Sequence, residues 1–384
     1  MVSTGFRSFN AHHNTSHPIP LMQSPNQCLN DDLAEARLQV RWAKENYMQM
    51  ICKPHFLRKL YMFTIIFASM VFMSISYRTE AFAYLERRNS ESKVKEIMQN
   101  GELVPPFVNI VADYMTAPQY KIASCGIRKS MSQLTINFMC LLFDPVGFQH
   151  NNQSFNDTWH NQKTCIKSKE FTTLSPDAQK AYTKVALVRD PMDRFISFFL
   201  DKCVGEKNCY DCKSDARCVA RKSYEDLKKY AEDPKRPAAS YTMKHNAPQT
   251  WNCDFDKYYK DYHIIQIGPR LEERFMAFVD LADIMKDKKI PLNTIKRIVT
   301  ESLKSDTGHA TYKNKDRLVT ESLIRNDTEI RRYIQRTYFF DYLFFNFDRS
   351  QLDEDFRSSS WDIIQEAMTE QYFPTKSSSN ETVV

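Results

Sequence analysis

The sequence predicts an α/β domain, a parallel sheet with helices on its faces, behind a single N-terminal membrane-spanning helix. Three observations lead there. A strand-length apolar run, a short polar turn and a helical pattern follow one another twice, in YKIASCGI, RKS, MSQLTINFMCLLF and again in KVALV, RDP, MDRFISFFLDKC. An uncharged run, LYMFTIIFASMVFMSISY, occupies Leu60–Tyr77. Eight of the ten cysteines follow that run, an even number of the kind a disulfide-bonded domain needs.

Composition bounds the rest. A chain of 384 residues, 42% hydrophobic and 13% aromatic, can bury the core of one large domain with flanking segments to spare. The net charge of +6 sets 53 basic against 47 acidic residues, which permits a polyanionic partner without demanding one; no nucleic acid is implied. Seven glycines leave no Gly-rich dinucleotide fingerprint and no Walker-type loop. A phosphate cradle in this chain must therefore use side chains and a helix N-terminus.

Residues 1–59 read as a tail, polar and rich in Ser, Asn and His at first, then helical around DDLAEARLQVRWAKENYMQM. His12, His13 and His17 have metal-binding chemistry, but a disordered tail explains them more simply. As a helix, residues 60–77 span roughly 27 Å at about 1.5 Å per residue, enough for a thin membrane of the early secretory route. The alternative is a buried core helix. Arg58, Lys59 and Arg78 flank the run as interfacial anchors, and its distance from the N-terminus argues against a cleaved signal peptide. Basic residues on both sides leave orientation undecided by charge. The sequons at Asn152, Asn156, Asn326 and Asn380 and the eight cysteines place the C-terminal side in the lumen, although Asn14 also forms a sequon. Residues 78–107 are charged, loosely helical and closed by Pro105 and Pro106, as a stem would be. The α/β domain is expected over 108–350, with a polar tail at 351–384.

In open α/β sheets ligands collect at the C-terminal ends of the strands, so both turns point to one crevice. In the second turn Asp190 suits the N-cap and Pro191 the first helical position. Arg189 stands at the mouth, and Arg194 and Ser197 share a helical face. Phe195, Phe198 and Phe199 face elsewhere and are expected to pack on the sheet. A phosphate beside this helix can take a charge-assisted contact from Arg189 and a hydroxyl contact from Ser197, although an Arg–Asp surface pair on an ordinary amphipathic helix has the same pattern. The first turn favours the ligand. Arg128, Lys129, Ser130, Met131, Ser132 and Gln133 bring two cations, hydroxyls and the free N–H groups of a helix start together, and cations there oppose the helix dipole unless an anion is bound. Two anion sites at adjacent strand ends suit a ligand with phosphates at two positions.

These residues resemble the Golgi carbohydrate sulfotransferases of the chondroitin and dermatan type. The resemblance implies a P-loop-kinase-like fold and 3′-phosphoadenosine 5′-phosphosulfate (PAPS) as sulfuryl donor. The family's first motif, a Pro-Lys turn that opens a helix and binds the 5′-phosphosulfate, corresponds to RKSMSQL, Arg128 to Leu134. Its second, an Arg-Asp-Pro turn with a serine eight residues after the arginine, binds the 3′-phosphate and corresponds to Arg189 and Ser197. The segment KHNAPQTWNCDFDKYYKDYHIIQIG, Lys244–Gly268, resembles the family's run of a histidine, a Pro-Gln pair, a cysteine, an aromatic strand and a glycine. The tail YFFDYLFFNFD, Tyr338–Asp348, resembles its aromatic C-terminal helix and strand. The likeness covers Tyr120–Asp348. It departs at Arg128, where the family has proline, and at Met131, where it has a small residue.

The chemistry the resemblance implies needs a cation at the departing phosphate, for which Lys129 is the choice, and a base for the acceptor hydroxyl, for which His245 is the candidate. A satisfied surface histidine is the other reading of His245. His309 and Lys313, in GHATYKNK, are lesser candidates for contacting donor or acceptor. No metal is required. The spacing Cys203-x5-Cys209-x2-Cys212-x5-Cys218 would invite zinc in a cytosolic chain; beyond a membrane anchor disulfides are favoured, with the pairing open. The expectation is a type II Golgi membrane sulfotransferase acting on a glycan, with O4 of N-acetylgalactosamine in chondroitin as the acceptor. An inactive lumenal relative that binds glycans or a partner enzyme is the alternative. A lumenal kinase is disfavoured by the missing Gly-rich loop and carboxylate set.

Overall fold

The computed structural model describes residues 37–46, 54–110, 112–157, 164–304 and 316–374. The chain divides into two compact units, Met1–Tyr84 and Leu85–Val384. In the first, residues 37–46 are helical, and a long helix α1 (Pro54–Gln99) begins and runs on into the second. Its segment Arg58–Phe82 has 25 residues, a mean hydropathy of 1.8 and no buried position, so its apolar surface has no protein covering. It is the one helix among the described residues long and apolar enough to cross a membrane.

The second unit is built on four strands in the order β1 (Tyr114–Ala117), β2 (Ile122–Cys125), β3 (Thr183–Arg189) and β4 (Tyr262–Ile267). Strands β2, β3 and β4 run parallel, as the repeated strand-turn-helix pattern predicts. Strand β1 pairs antiparallel with β2, from Tyr114 opposite Cys125 to Ala117 opposite Ile122, and corrects the all-parallel expectation. The reason is the length of the link: the single turn Pro118–Tyr120, closed by Lys121 at φ 49°, is too short for the crossover that a parallel neighbour requires.

Strand β3 is buried along five consecutive residues, the mark of a parallel strand covered on both faces. Val185 and Leu187 belong to one core with Phe138, Met139 and Leu142 of helix α2 (Ser132–Phe143). Ala186 and Val188 point the other way, into an aromatic core. Helix α3 (Pro191–Phe198) leaves β3 after Asp190 and continues as a wider π-helical turn, Phe199–Gly205. Phe195, Phe198 and Phe199 do not pack on the sheet. They form a third cluster with Val219 and Ala220 of helix α4 (Ala216–Glu232) and with residues further along, because these elements close over that side of α3.

Helices α5 (Leu271–Asp287) and α6 (Leu292–Lys304) add Phe278, Leu281 and Ile298 to the first core. Helix α7 (Arg317–Asn326) precedes α8 (Thr328–Phe344), whose Ile330, Ile334 and Tyr338 complete the third cluster and whose Phe339 and Phe340 enter the aromatic core. The tail Tyr338–Asp348 is helix to Phe344 and forms no strand after it, a second correction: Phe345 and Phe347 bury themselves as irregular chain. Beyond it, α9 (Ser360–Tyr372) sets Trp361 against Phe339 with ring centroids 4.4 Å apart.

All eight cysteines of this unit pair: Cys125–Cys253, Cys140–Cys165, Cys203–Cys209 and Cys212–Cys218. The Cys203–Cys218 run is thus two small loops in place of a zinc site, and no group able to hold a metal ion is found among the described residues.

Candidate active site

The two turns meet at the C-terminal ends of β2 and β3. Gly126 opens the first where a side chain would press on Met115, 3.0 Å away. Lys129 and Met131 then adopt positive φ, 69° and 58°, a conformation costly for residues with a Cβ and held here by the surrounding contacts. Met131 is the N-cap of α2 with no side-chain cap bond. The first N–H groups of α2, from Ser132 and Gln133 onward, therefore keep no acceptor within the helix, and the positive end of its dipole faces this turn. The side chain of Met131 packs against the first core.

Two arginines of the second turn stitch it to the first. Arg189 donates from Nη1 to the carbonyl of Lys129 at 3.4 Å, and Arg194, buried, donates from Nε to the carbonyl of Arg128 at 3.0 Å. Each keeps a buried N–H without an acceptor among the described residues, Nε of Arg189 and Nη2 of Arg194. Burial pushes the Arg189 guanidinium down to about 10 and lowers Arg194 as well. An orphaned guanidinium N–H suits a charge-assisted bond to an anion such as phosphate, and at Arg189 such an anion would compete with the nearby charges of Asp193, Asp190 and Glu273. Ser197 lies one turn on in α3 and is buried. Asp190 caps α3, accepting from the Asp193 N–H at 2.9 Å, and burial raises its carboxyl to about 6.

Lys129 reaches the next layer of charge. Its side chain is only 6% exposed, and Nζ lies 2.7 Å from Oδ2 of Asp201, which also meets Lys202 Nζ at 3.1 Å. Burial pulls the Lys129 amine down to about 8 against the attraction of Asp201, with the charges of Lys202 and Arg189 lowering it further. Arg128 turns outward to Asp113 at 3.0 Å. Ser130 is buried and donates its hydroxyl hydrogen to Oε1 of Gln249 at 3.0 Å.

His245, on the short helix Tyr241–Asn246, belongs to the same neighbourhood. Burial first, and then the charges of Arg128, Lys202 and Lys129, hold its imidazole down at about 3. Its Nδ1 lies 2.8 Å from the carbonyl oxygen of Tyr241. A carbonyl only accepts, so Nδ1 carries the hydrogen and Nε2 keeps its lone pair. The Tyr241 ring flanks the imidazole at 4.3 Å between centroids, and Lys202 lies over that ring at 5.2 Å.

Motif spacing thus brings Lys129, Ser130, Arg189, Arg194 and, through its charges, His245 together. It passed over two residues. Asp201 stands in the stripe Arg194, Ser197, Asp201, at steps of three and four, so continuing the helical face would have found it. Gln249 lies in the Pro-Gln pair of the segment Lys244–Gly268, but its role depends on contacts distant in sequence. His309 and Lys313 fall outside the described residues.

Residues 112–348 match the model of the sulfotransferase family. The chain is 33% identical over 285 residues to carbohydrate sulfotransferase chst-1 of Caenorhabditis elegans, covering 70% of this chain and 86% of that protein. An uncharacterized protein of the same nematode, C18B2.2, is 28% identical over 258 residues, 64% of this chain and 71% of its own. The putative sulfotransferase vep-2 of that organism is 28% identical over 211 residues, 51% of this chain and 64% of its own. No solved structure matches the chain.

Proposed function

The chain belongs to the sulfotransferase family, and from that premise we propose that it is a membrane-anchored carbohydrate sulfotransferase moving the sulfuryl group of PAPS to a glycan hydroxyl. The acceptor we propose is O4 of N-acetylgalactosamine in chondroitin. The setting is the Golgi lumen, with residues 1–59 cytosolic, 60–77 in the bilayer, 78–107 as stem and 108–350 as the catalytic domain. The sequons and the four disulfides support that orientation.

PAPS, when bound, supplies an activated sulfuryl group on a phosphate leaving group. The chain's residues do the rest. The turn Arg128–Gln133 cradles the 5′-phosphosulfate with the free N–H groups of α2. Arg189 and Ser197 grip the 3′-phosphate, and Arg194 fixes the turn from behind. Lys129 releases Asp201 and neutralises the charge growing on the bridging oxygen. His245 receives the acceptor proton on Nε2. The cations that depress its basicity are the ones the donor's negative charge offsets, so donor binding readies the base.

The observation that carries this reading is the orphaned guanidinium N–H of Arg189, whose Nη1 bonds the carbonyl of Lys129, together with the buried amine of that lysine. The test is the full chain purified in detergent, given radiolabelled PAPS and a panel of desulfated glycosaminoglycans. Transfer to chondroitin is expected, falling by about 10²–10³ in Lys129→Ala while binding of the product 3′-phosphoadenosine 5′-phosphate (PAP) persists. No transfer to any acceptor together with no PAP binding would sink the reading; PAP binding alone would point to an inactive glycan-binding relative.

A further inference from the structure

We propose that Gln249 is a positioning residue that holds the two donor-binding turns in register. The inference rests on the donor assignment above and adds a residue that touches neither transferred group nor acceptor.

Gln249 begins the tight turn Gln249–Trp251 and is completely buried. Its carboxamide serves both turns at once. Oε1 accepts from Ser130 Oγ at 3.0 Å and from the backbone N–H of Arg189 at 2.9 Å; Nε2 donates to the carbonyl of Arg189 at 2.7 Å. Both acceptor positions of the amide oxygen and one of its two N–H donors are therefore engaged. Glutamate of the same length lacks the donor, and asparagine lacks the reach.

The sheet explains why a side chain is needed. Strand β2 stops pairing with β3 at Ala186, whereas β4 continues to Arg189. The peptide of Arg189 thus has no partner from β2, and a buried N–H and C=O must be satisfied. The carboxamide of Gln249 has the donor and acceptor of a peptide group and stands in for the missing strand. By also receiving the Ser130 hydroxyl, it ties the residue next to Lys129 to the backbone of Arg189.

The clamp is itself anchored. The N–H groups of Gln249 and Thr250 donate to the two oxygens of Asp341, at 2.7 and 2.9 Å, and Asp341 is buried on α8. Four residues on, Cys253 is bonded to Cys125, the last residue of β2 and three before Arg128. The segment is fixed to the helix layer, to β2 and to both turns, so the distance between the two phosphate grips is set by covalent and hydrogen-bonded links. Displacing one grip by about 1 Å is enough to cost a large factor in rate or affinity.

The role predicts a separation between donor and acceptor. In the full chain, PAP affinity is measured by calorimetry, and the KM values for PAPS and for the glycan acceptor are measured in Gln249→Ala, Ser130→Ala and the double variant. Gln249→Ala is expected to weaken PAP and raise the KM for PAPS by about tenfold or more, with the acceptor KM within about twofold of wild type. The double variant should weaken PAP no further than Gln249→Ala alone, because the Ser130 hydroxyl acts through Gln249. If Gln249→Ala does not fold, Gln249→Glu keeps the volume and both acceptor positions while losing the donor to Arg189, and the same split between donor and acceptor constants is expected. Losses that multiply in the double variant, donor and acceptor constants that change together, or PAP binding unchanged in every Gln249 variant would overturn the clamp. A wild-type chain that binds no PAP would instead overturn the donor assignment on which the inference rests.

Discussion

Raising the pH through the titration of Lys129 gives a direct reading of its role. The amine is held at about 8 by burial, opposed by Asp201 at 2.7 Å and assisted by the charges of Lys202 and Arg189. For a group that must be charged to act, activity is present below that pKa and lost as pH rises through it. One unit below, about 90% of the chains carry the charge; one unit above, about 10% do. The dependence of kcat/KM on pH reports the free enzyme, so with PAPS as the varied substrate it should bend near the Lys129 value and then fall about tenfold per pH unit. The fall levels off where the charge no longer contributes, about 10²–10³ below the plateau. Arg189, pushed down to about 10, keeps its charge through the first unit above the Lys129 value and steepens the fall beyond it.

Asp201→Asn supplies the control. Asp201 raises the Lys129 pKa by its charge and by its hydrogen bond, so removing the charge should move the alkaline limb to lower pH. In the complex, the donor's negative charge replaces that of Asp201, and the limb in kcat should lie above the one in kcat/KM. His245, held down at about 3 in the free enzyme, should contribute no acid limb to kcat/KM in the range of an ordinary imidazole. A kcat/KM profile flat across two units around the Lys129 value, or a limb unmoved in Asp201→Asn, would refute the leaving-group assignment.

Three further outcomes follow from the same geometry. Arg194→Ala leaves the Arg128 carbonyl without its donor and removes a positive charge that attracts Asp341, and should lower unfolding free energy by about 1–3 kcal/mol; a denaturant series showing no loss would contradict the structural role of that bond. Opening Cys125–Cys253 by Cys125→Ser with Cys253→Ser releases a link across 128 residues, worth about 5 kcal/mol in the chain-entropy view, and should lower the melting temperature more than opening Cys203–Cys209, whose separation is 6. Asn152 and Asn326 are exposed sequons, and Asn→Gln at each should remove one endoglycosidase-sensitive mobility step from the full chain expressed in secretory-competent cells; no step at either would argue against a lumenal domain.

What the sequence made legible was local. The strand-turn-helix units could be read because burial on both faces writes an unbroken apolar run into Val185–Val188 and helical spacing into Met131–Phe143, and because proline after Asp190 marks a helix start. Arg189 ends β3 and Ser197 stands on the helix that follows, a placement legible from the turn between them. Strand β1 was not legible: four residues, YMTA, carry no decisive pattern, and only their link to β2 forces them antiparallel. The phenylalanines of α3 were assigned to the sheet because a helical face reveals that it is apolar without revealing which element covers it; α4 and α8 do so here.

The residues that organise the site are long-range partners. Asp201 meets Lys129 across 72 residues, Gln249 meets Ser130 across 119, and Asp341 meets Gln249 across 92. No window of sequence contains both members of any of these pairs, so each looks ordinary where it stands: an acid after a helix, an amide after a proline, an acid among aromatics. Their roles appear only when three parallel strands bring their ends level and leave the peptide of Arg189 without a neighbour. A motif can specify which side chains hold a phosphate. The spacing between two such motifs has to be made by the residues that fold them against each other, and in this chain Gln249 is the side chain that bonds to both.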